Sequence, residues 1–210
     1  MHVVAINGSP KAEGNTYLAL KVVLDELEKE GITTEIVHVG DKNIHGCLAC
    51  GGCAKNKNEK CVIQDGGEVN ETIQKMKKAD GIIISSPVYY ASIAGTMKSF
   101  LDRAFYVAGA NGGLFRHKVG AGLAIARRSG EIATYDHLNH YLTIGEMFLA
   151  SSNYWSSAHG RMPGDVLEDI EGIQIMRILG KNTAFLLKSI AKNSENLPEK
   201  EAKIMTNFVR

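Results

Sequence analysis

Neither sign of charge is in excess: 24 Lys and Arg stand against 23 Asp and Glu, a formal net charge of +1. A chain so balanced carries no field for gathering nucleic acid or an anionic membrane surface, and neither is expected as a partner. Long apolar runs are missing as well, since no stretch approaches the roughly 20 apolar residues that span a bilayer. The opening Met1-His2-Val3-Val4-Ala5-Ile6-Asn7 lacks the basic start, the long apolar run and the small-residue cleavage site of a secretory signal. A cytoplasmic location is therefore expected, where thiols stay reduced. Repeats, low-complexity tracts and linkers are absent, so the 210 residues are read as one domain, 1–210. Cysteine is absent from almost the whole chain: all four lie between Cys47 and Cys61. Structural cysteines scattered through a core would not bunch in this way.

What remains is the composition of a globular protein, 44% hydrophobic and 22% charged. Short β-rich apolar runs alternate with helical patterns, which predicts a doubly wound parallel sheet. The runs are Val3 to Ile6, Thr33 to Val39, Gly81 to Ser85, Val119 to Ala126 and Met147 to Tyr154. Gly81-Ile82-Ile83-Ile84-Ser85 is apolar on both faces and should be central. Leu20, Val23, Leu24 and Leu27 recur at helical spacing, with Gly31 as a helix-ending glycine. Asp65-Gly66-Gly67-Glu68 reads as a capping box opening a helix to Lys78. Further helices are expected over 96–109 and 131–145. Ile173, Met176, Gly180, Ala184 and Leu187 should line one face of a long last helix, with another helical turn or two beyond Pro198.

Gly8-Ser9-Pro10-Lys11-Ala12-Glu13-Gly14-Asn15-Thr16 joins the first strand to the first helix. In an open α/β sheet ligands sit there, and a helix N-terminus offers unpaired N–H groups to an anion. A dinucleotide fingerprint would need glycine where Pro10 stands, and a Walker loop would need lysine where Asn15 stands. A cradle for one terminal phosphate remains, as flavin mononucleotide (FMN) requires. An ordinary polar turn capped by Asn15 or Thr16 is the plain alternative. Ser86-Pro87-Val88-Tyr89-Tyr90 leaves the same sheet edge and supplies aromatic rings for a flat heterocycle. Arg127 and Arg128, after the fourth run, are suited to the flavin's carbonyl edge, to a nicotinamide phosphate, or simply to solvent.

Cys47-x2-Cys50-x2-Cys53-x7-Cys61, in a loop over 45–64, has the compact spacing of a [4Fe–4S] ligand set. Structural zinc more often uses two separated Cys-x2-Cys knuckles, and free redox-active thiols are the third reading. His45 is expected to be a loop residue, and the remaining histidines show no metal-type spacing.

With Asn7 to Lys11, Asn15-Thr16, Ser86 to Tyr89, Met97 to Arg103 and the cysteine cluster in place, the chain resembles the iron–sulfur flavoproteins, a branch of the NADPH-dependent FMN reductase group. The resemblance implies a flavodoxin-like α/β fold: a doubly wound five-stranded parallel sheet, order 2-1-3-4-5, with helices on both faces. It also implies that Ser9, Lys11, Gly14, Asn15 and Thr16 hold the FMN phosphate. Pro87, Val88, Tyr89 and Tyr90 would flank the ribityl chain and ring, with Arg127 near the flavin. Cys47, Cys50, Cys53 and Cys61 would hold a [4Fe–4S] cluster. A homo-oligomer, dimer or tetramer, is implied, with the helix around Met97 to Phe105 as a candidate face. The expected activity is electron transfer between the flavin and cluster and a carrier such as ferredoxin, with no acid–base residue required. The rivals are an NAD(P)H-dependent FMN or quinone oxidoreductase without a cluster, and a flavin-bearing regulatory module without turnover.

Overall fold

The computed structural model of the chain describes residues 1–65 and 67–206. Val3, Val4, Ala5 and Ile6 have no solvent contact, as a strand apolar on both faces requires. They form β1 (His2–Asn7), paired in parallel with β2 (Thr33–His38) on one side and β3 (Gly81–Tyr89) on the other. After Tyr89 the chain turns back through a short antiparallel β4 (Ser92–Ile93). On its far side β3 pairs in parallel with β5 (Val119–Ala126). The edge beyond β5 is made of two short pieces, β6 (Phe148–Leu149) and β7 (Ser157–His159), both parallel to it.

Successive side chains of a strand face opposite ways, and different helices cover the two faces. Val3, Ala5 and Ile83 pack against Leu20, Val23 and Leu27 of α1 (Asn15–Lys29). Met176, Leu179 and Leu187 of α6 (Ile170–Lys192) complete that layer. Val4, Ile6, Ile82 and Ile84 face α3 (Glu68–Lys78), α4 (Gly95–Ala110) and α5 (Glu131–Ile144), meeting Ile73, Phe100 and Leu138. Each such side chain withdrawn from water contributes about 1.5–3 kcal/mol. Met97, Phe100, Leu101 and Ala104 of α4 are buried in this core, so core packing, the alternative to a subunit face for these apolar residues, accounts for them. The cysteine loop adds a helical turn the sequence reading lacked, α2 (Gly52–Asn56).

Gly180 shows why α6 tolerates a residue that costs about 1 kcal/mol in a helix interior. A Cβ there would lie 2.5 Å from the Val23 carbonyl oxygen and 2.8 Å from Glu26 Cβ. α6 therefore rides directly on the backbone of α1.

The doubly wound parallel sheet forms as expected, but the five-strand count and simple 2-1-3-4-5 order do not. Among the described residues the sheet has seven strands, five along the path β2-β1-β3-β5-β6, with β4 on β3 and β7 on β5. The expected strand over 147–154 breaks because Ser151 and Ser152 are drawn to α6. Asn182 donates to the Ser151 carbonyl at 2.7 Å, and the Ser152 hydroxyl donates to the Ile175 carbonyl at 2.7 Å. The capping box is also corrected at its described residues: α3 has Gly67 as N-cap with no side-chain cap, and Asp65 turns instead to Arg103; Gly66 lies outside the described residues. No helix forms over 198–206. There Arg116 donates to the Pro198 and Glu199 carbonyls at 3.0 Å each, and Lys200 donates to the Gly112 carbonyl at 2.8 Å; residues 207–210 lie outside the described part. Among the described residues no helix is long and apolar enough to cross a membrane.

Candidate functional site

The chain leaves β1 toward β2 and returns to β3 on the other side, so a crevice opens at the carboxyl ends of β1 and β3. The 8–14 loop lines it. Asn7 organises this loop from the end of the strand: its Oδ1 accepts from the Ser9 N–H at 3.0 Å, and its Nδ2 donates to the Ala12 carbonyl at 2.9 Å. The Ser9 hydroxyl accepts from the Lys11 N–H at 3.1 Å. α1 then begins at Asn15, with Gly14 as N-cap and no side-chain cap, leaving first-turn N–H groups without helix partners. Thr16 is 2% exposed and Ser9 6%, while Lys11 is exposed at the mouth. This arrangement suits a phosphate, which N–H groups and the positive end of the helix dipole both favour.

The Asn15 side chain bonds across to another loop. Its Nδ2 donates to the Met162 carbonyl at 2.9 Å, and its Oδ1 accepts from the Gly164 N–H at 2.9 Å. Its side chain fastens α1 to the loop after β7. Sequence reasoning gave His38 no role, yet its Nε2 lies 2.7 Å from the Ser9 carbonyl oxygen. Gly40 presses on the same place, where any Cβ would collide with the Ser9 backbone. The end of β2 is thus a buttress for the phosphate loop.

The second wall comes from β3 and β4. Pro87 pairs with Ile125 inside the sheet and Val88 with Ile93 in the hairpin. Ser86 shapes the bend: its hydroxyl accepts from the Ala94 N–H at 2.9 Å at the start of α4. At the tip Tyr90 has a left-handed backbone (φ 57°) and is 99% exposed, while Tyr89 is 57% exposed. Their rings meet edge to face with centroids 5.8 Å apart. Apart from this edge contact, the Tyr90 ring lies open to solvent on the turned-back tip. Arg127 and Arg128 lie exposed beyond β5 and make no hydrogen bond or ion pair among the described residues. Beside them, Glu131 keeps one carboxylate oxygen buried without a donor, and its other oxygen lies 4.0 Å from His159 Nε2.

The four cysteines are free, and Cys47, Cys50, Cys53 and Cys61 line one small pocket with Val62, Arg103 and Tyr106. Among the described residues no three of His, Cys, Asp or Glu stand in metal-holding geometry. The donor chemistry nevertheless fits a thiophilic centre. Burial pushes the Cys53 thiol up, a hydrogen bond from the Ala54 backbone pulls it back, and nearby Cys61 and Cys47 add to the rise. A buried thiol beside other sulfurs, as Cys53 is, is a group whose thiolate form a bound cation would favour. The Cys47 sulfur accepts from the Ala49 N–H at 3.5 Å, and the Cys61 sulfur accepts from Arg103 Nε at 3.3 Å. Arg103 is 1% exposed and forms an ion pair with Asp65. Burial works against its charge, but Asp65 and Cys61 outweigh it and hold its pKa above the ordinary value. Arg103 closes the Met97 to Arg103 motif, and nothing in its local sequence signals this task.

The model of the family described as NADPH-dependent FMN reductase matches residues 1–161. An iron–sulfur flavoprotein from Methanocaldococcus jannaschii is 35% identical over 199 residues, covering 91% of this chain and 100% of its own. Among solved structures, RosB with bound 8-demethyl-8-formylriboflavin-5'-phosphate superposes with a TM-score of 0.72 at 18% identity, covering 100% of this chain and 92% of its own. A flavodoxin from the domain Archaea gives 0.59 at 14% identity, covering 90% of this chain and 99% of its own. The two structures establish the flavodoxin-like fold. The family match and the Methanocaldococcus jannaschii relative establish more: the chain belongs to the NADPH-dependent FMN reductase family, in its iron–sulfur flavoprotein branch, and is a flavin-dependent oxidoreductase.

Proposed function

We propose that the chain is an electron-transfer flavoprotein that holds FMN in the crevice and a [4Fe–4S] cluster on Cys47, Cys50, Cys53 and Cys61. The observation that carries this reading is the meeting of four free cysteines on one pocket, in a chain whose β1–α1 loop suits a phosphate. In this reading the first-turn N–H groups of α1, with Ser9, Lys11, Gly14 and Thr16, bind the phosphate. Asn15 contributes by keeping α1 in place. Pro87, Val88, Tyr89 and Tyr90 wall the ring, and Arg127 offers positive charge to its carbonyl edge. The cofactors supply two-electron and one-electron chemistry, and the protein supplies position, burial and hydrogen bonds. No side chain has to move a proton. A ferredoxin-like carrier is the proposed exchange partner and NAD(P)H a possible donor. A second copy of the chain, as dimer or tetramer, is proposed to cover exposed aromatics such as Tyr154 and Trp155, which are 57% and 49% exposed.

A second reading is favoured by the present spread of the cysteines, no three of which hold metal geometry among the described residues. It is an NAD(P)H-dependent FMN or quinone oxidoreductase with free thiols. Iron and acid-labile sulfide assays on anaerobically purified protein separate the two. About four irons per chain support the first. Iron-free protein whose flavin is bleached by NADPH supports the second.

A further inference from the structure

We infer that Arg103 is a positioning residue for the iron–sulfur centre. It locks both limbs of the cysteine loop and keeps a positively charged donor on the Cys61 sulfur, raising the centre's reduction potential. The inference rests on the four-cysteine reading above.

Among the described residues the guanidinium makes five contacts, three to the cysteine loop and two to Asp65, which directly follows it. Nε donates to Cys61 Sγ at 3.3 Å, and Nη1 donates to the His45 carbonyl at 3.2 Å and to Asp65. Nη2 donates to the Ile63 carbonyl at 3.1 Å and to Asp65 Oδ1 at 3.3 Å. His45 lies just before the first cysteine, and Ile63 and Asp65 lie just after the last. One side chain on α4 therefore joins the two ends of a loop that must close around its contents. A clamp alone would need only the carbonyl and carboxylate partners. The Nε–H on sulfur is an addition, and its effect is electrostatic.

With Arg103 1% exposed, water screens this charge poorly. A positive group beside a ligand sulfur stabilises the reduced centre, which carries one more negative charge than the oxidised one. Net charge and hydrogen bonds to sulfur are among the levers that set such potentials. Asp65 opposes the effect from behind, because it binds the Nη groups while Nε faces the sulfur.

The two charges therefore have opposite signatures. In a redox titration of the iron-loaded protein, followed by electron paramagnetic resonance with iron per chain measured alongside, Arg103→Gln should lower the midpoint of the centre. Asp65→Asn should raise it, because the guanidinium then faces the sulfur without its counter-charge. Iron-loaded variants with the wild-type midpoint, or variants that shift in the same direction, overturn the inference while leaving the four-cysteine reading standing. If Arg103→Gln does not accumulate as folded protein, Asp65→Asn alone decides: an unchanged or lowered midpoint overturns the proposal. Wild-type protein free of iron and sulfide, anaerobically prepared, removes the four-cysteine reading and this inference with it.

Discussion

A buried guanidinium is costly unless every donor is satisfied, and Arg103 meets that condition through the cysteine loop and Asp65. Removing it leaves Asp65, whose side chain is 7% exposed, as an uncompensated buried charge. Arg103→Met should then cost about 3–5 kcal/mol in chemical denaturation. The double variant Arg103→Met, Asp65→Leu should recover most of that loss. His38 acts more gently. His38→Leu deletes one hydrogen bond to the Ser9 carbonyl, worth about 1 kcal/mol, and should weaken FMN binding roughly fivefold in a fluorescence titration. Tyr141 gives a pH signature. Burial, and then the hydrogen bond to Asp102, push its phenol up to about 12. Because the folded value exceeds that of the unfolded chain, the stabilisation is complete below about pH 10 and is lost as pH rises toward 12. Tyr141→Phe should flatten that alkaline decline in stability measured against pH. At this scale the sequence was partly legible. Ser9, Lys11 and Thr16 sit beside a helix start, and local spacing exposes them. Asn15, His38 and Arg103 find their partners 147, 29 and up to 58 residues away, and no local pattern announces such pairings.

Among the elements, β1, β3, β5 and the long helices α1 and α6 follow from apolar periodicity because their faces are buried, whereas the short α2 in the cysteine loop carries no such pattern. The fifth strand was less legible. Its residues 147–154 carry a strand-like pattern, yet Asn182 and Ser152 tie the middle of the segment to α6, so tertiary bonding outweighs propensity. The turn at Tyr90 was also hidden, because Pro87 and Val88 remain paired and the strand runs on to Tyr89. The α1–α6 contact offers an element-scale test. Gly180→Ala puts a methyl group against the Val23 carbonyl at 2.5 Å, and such overpacking costs about 1–3 kcal/mol. The urea midpoint should fall with an unchanged slope, since the surface exposed on unfolding is the same.

For the whole molecule, fold and site are linked by mass action. The loop that would receive the phosphate is held by β1, β2 and α1 together, so its occupant stabilises the whole folded state. FMN at about a hundred times its Kd should add about 2.7 kcal/mol. In a chain of this size that is a rise of about 5–11 °C in Tm, read by differential scanning calorimetry of the flavin-free protein. The decisive measurement is the visible spectrum of protein purified without oxygen, with flavin, iron and sulfide quantified on the same sample. The account predicts two resolved flavin bands on a broad iron–sulfur absorption, with about one flavin and four irons per chain. Colourless protein that takes up no FMN when it is supplied would contradict it.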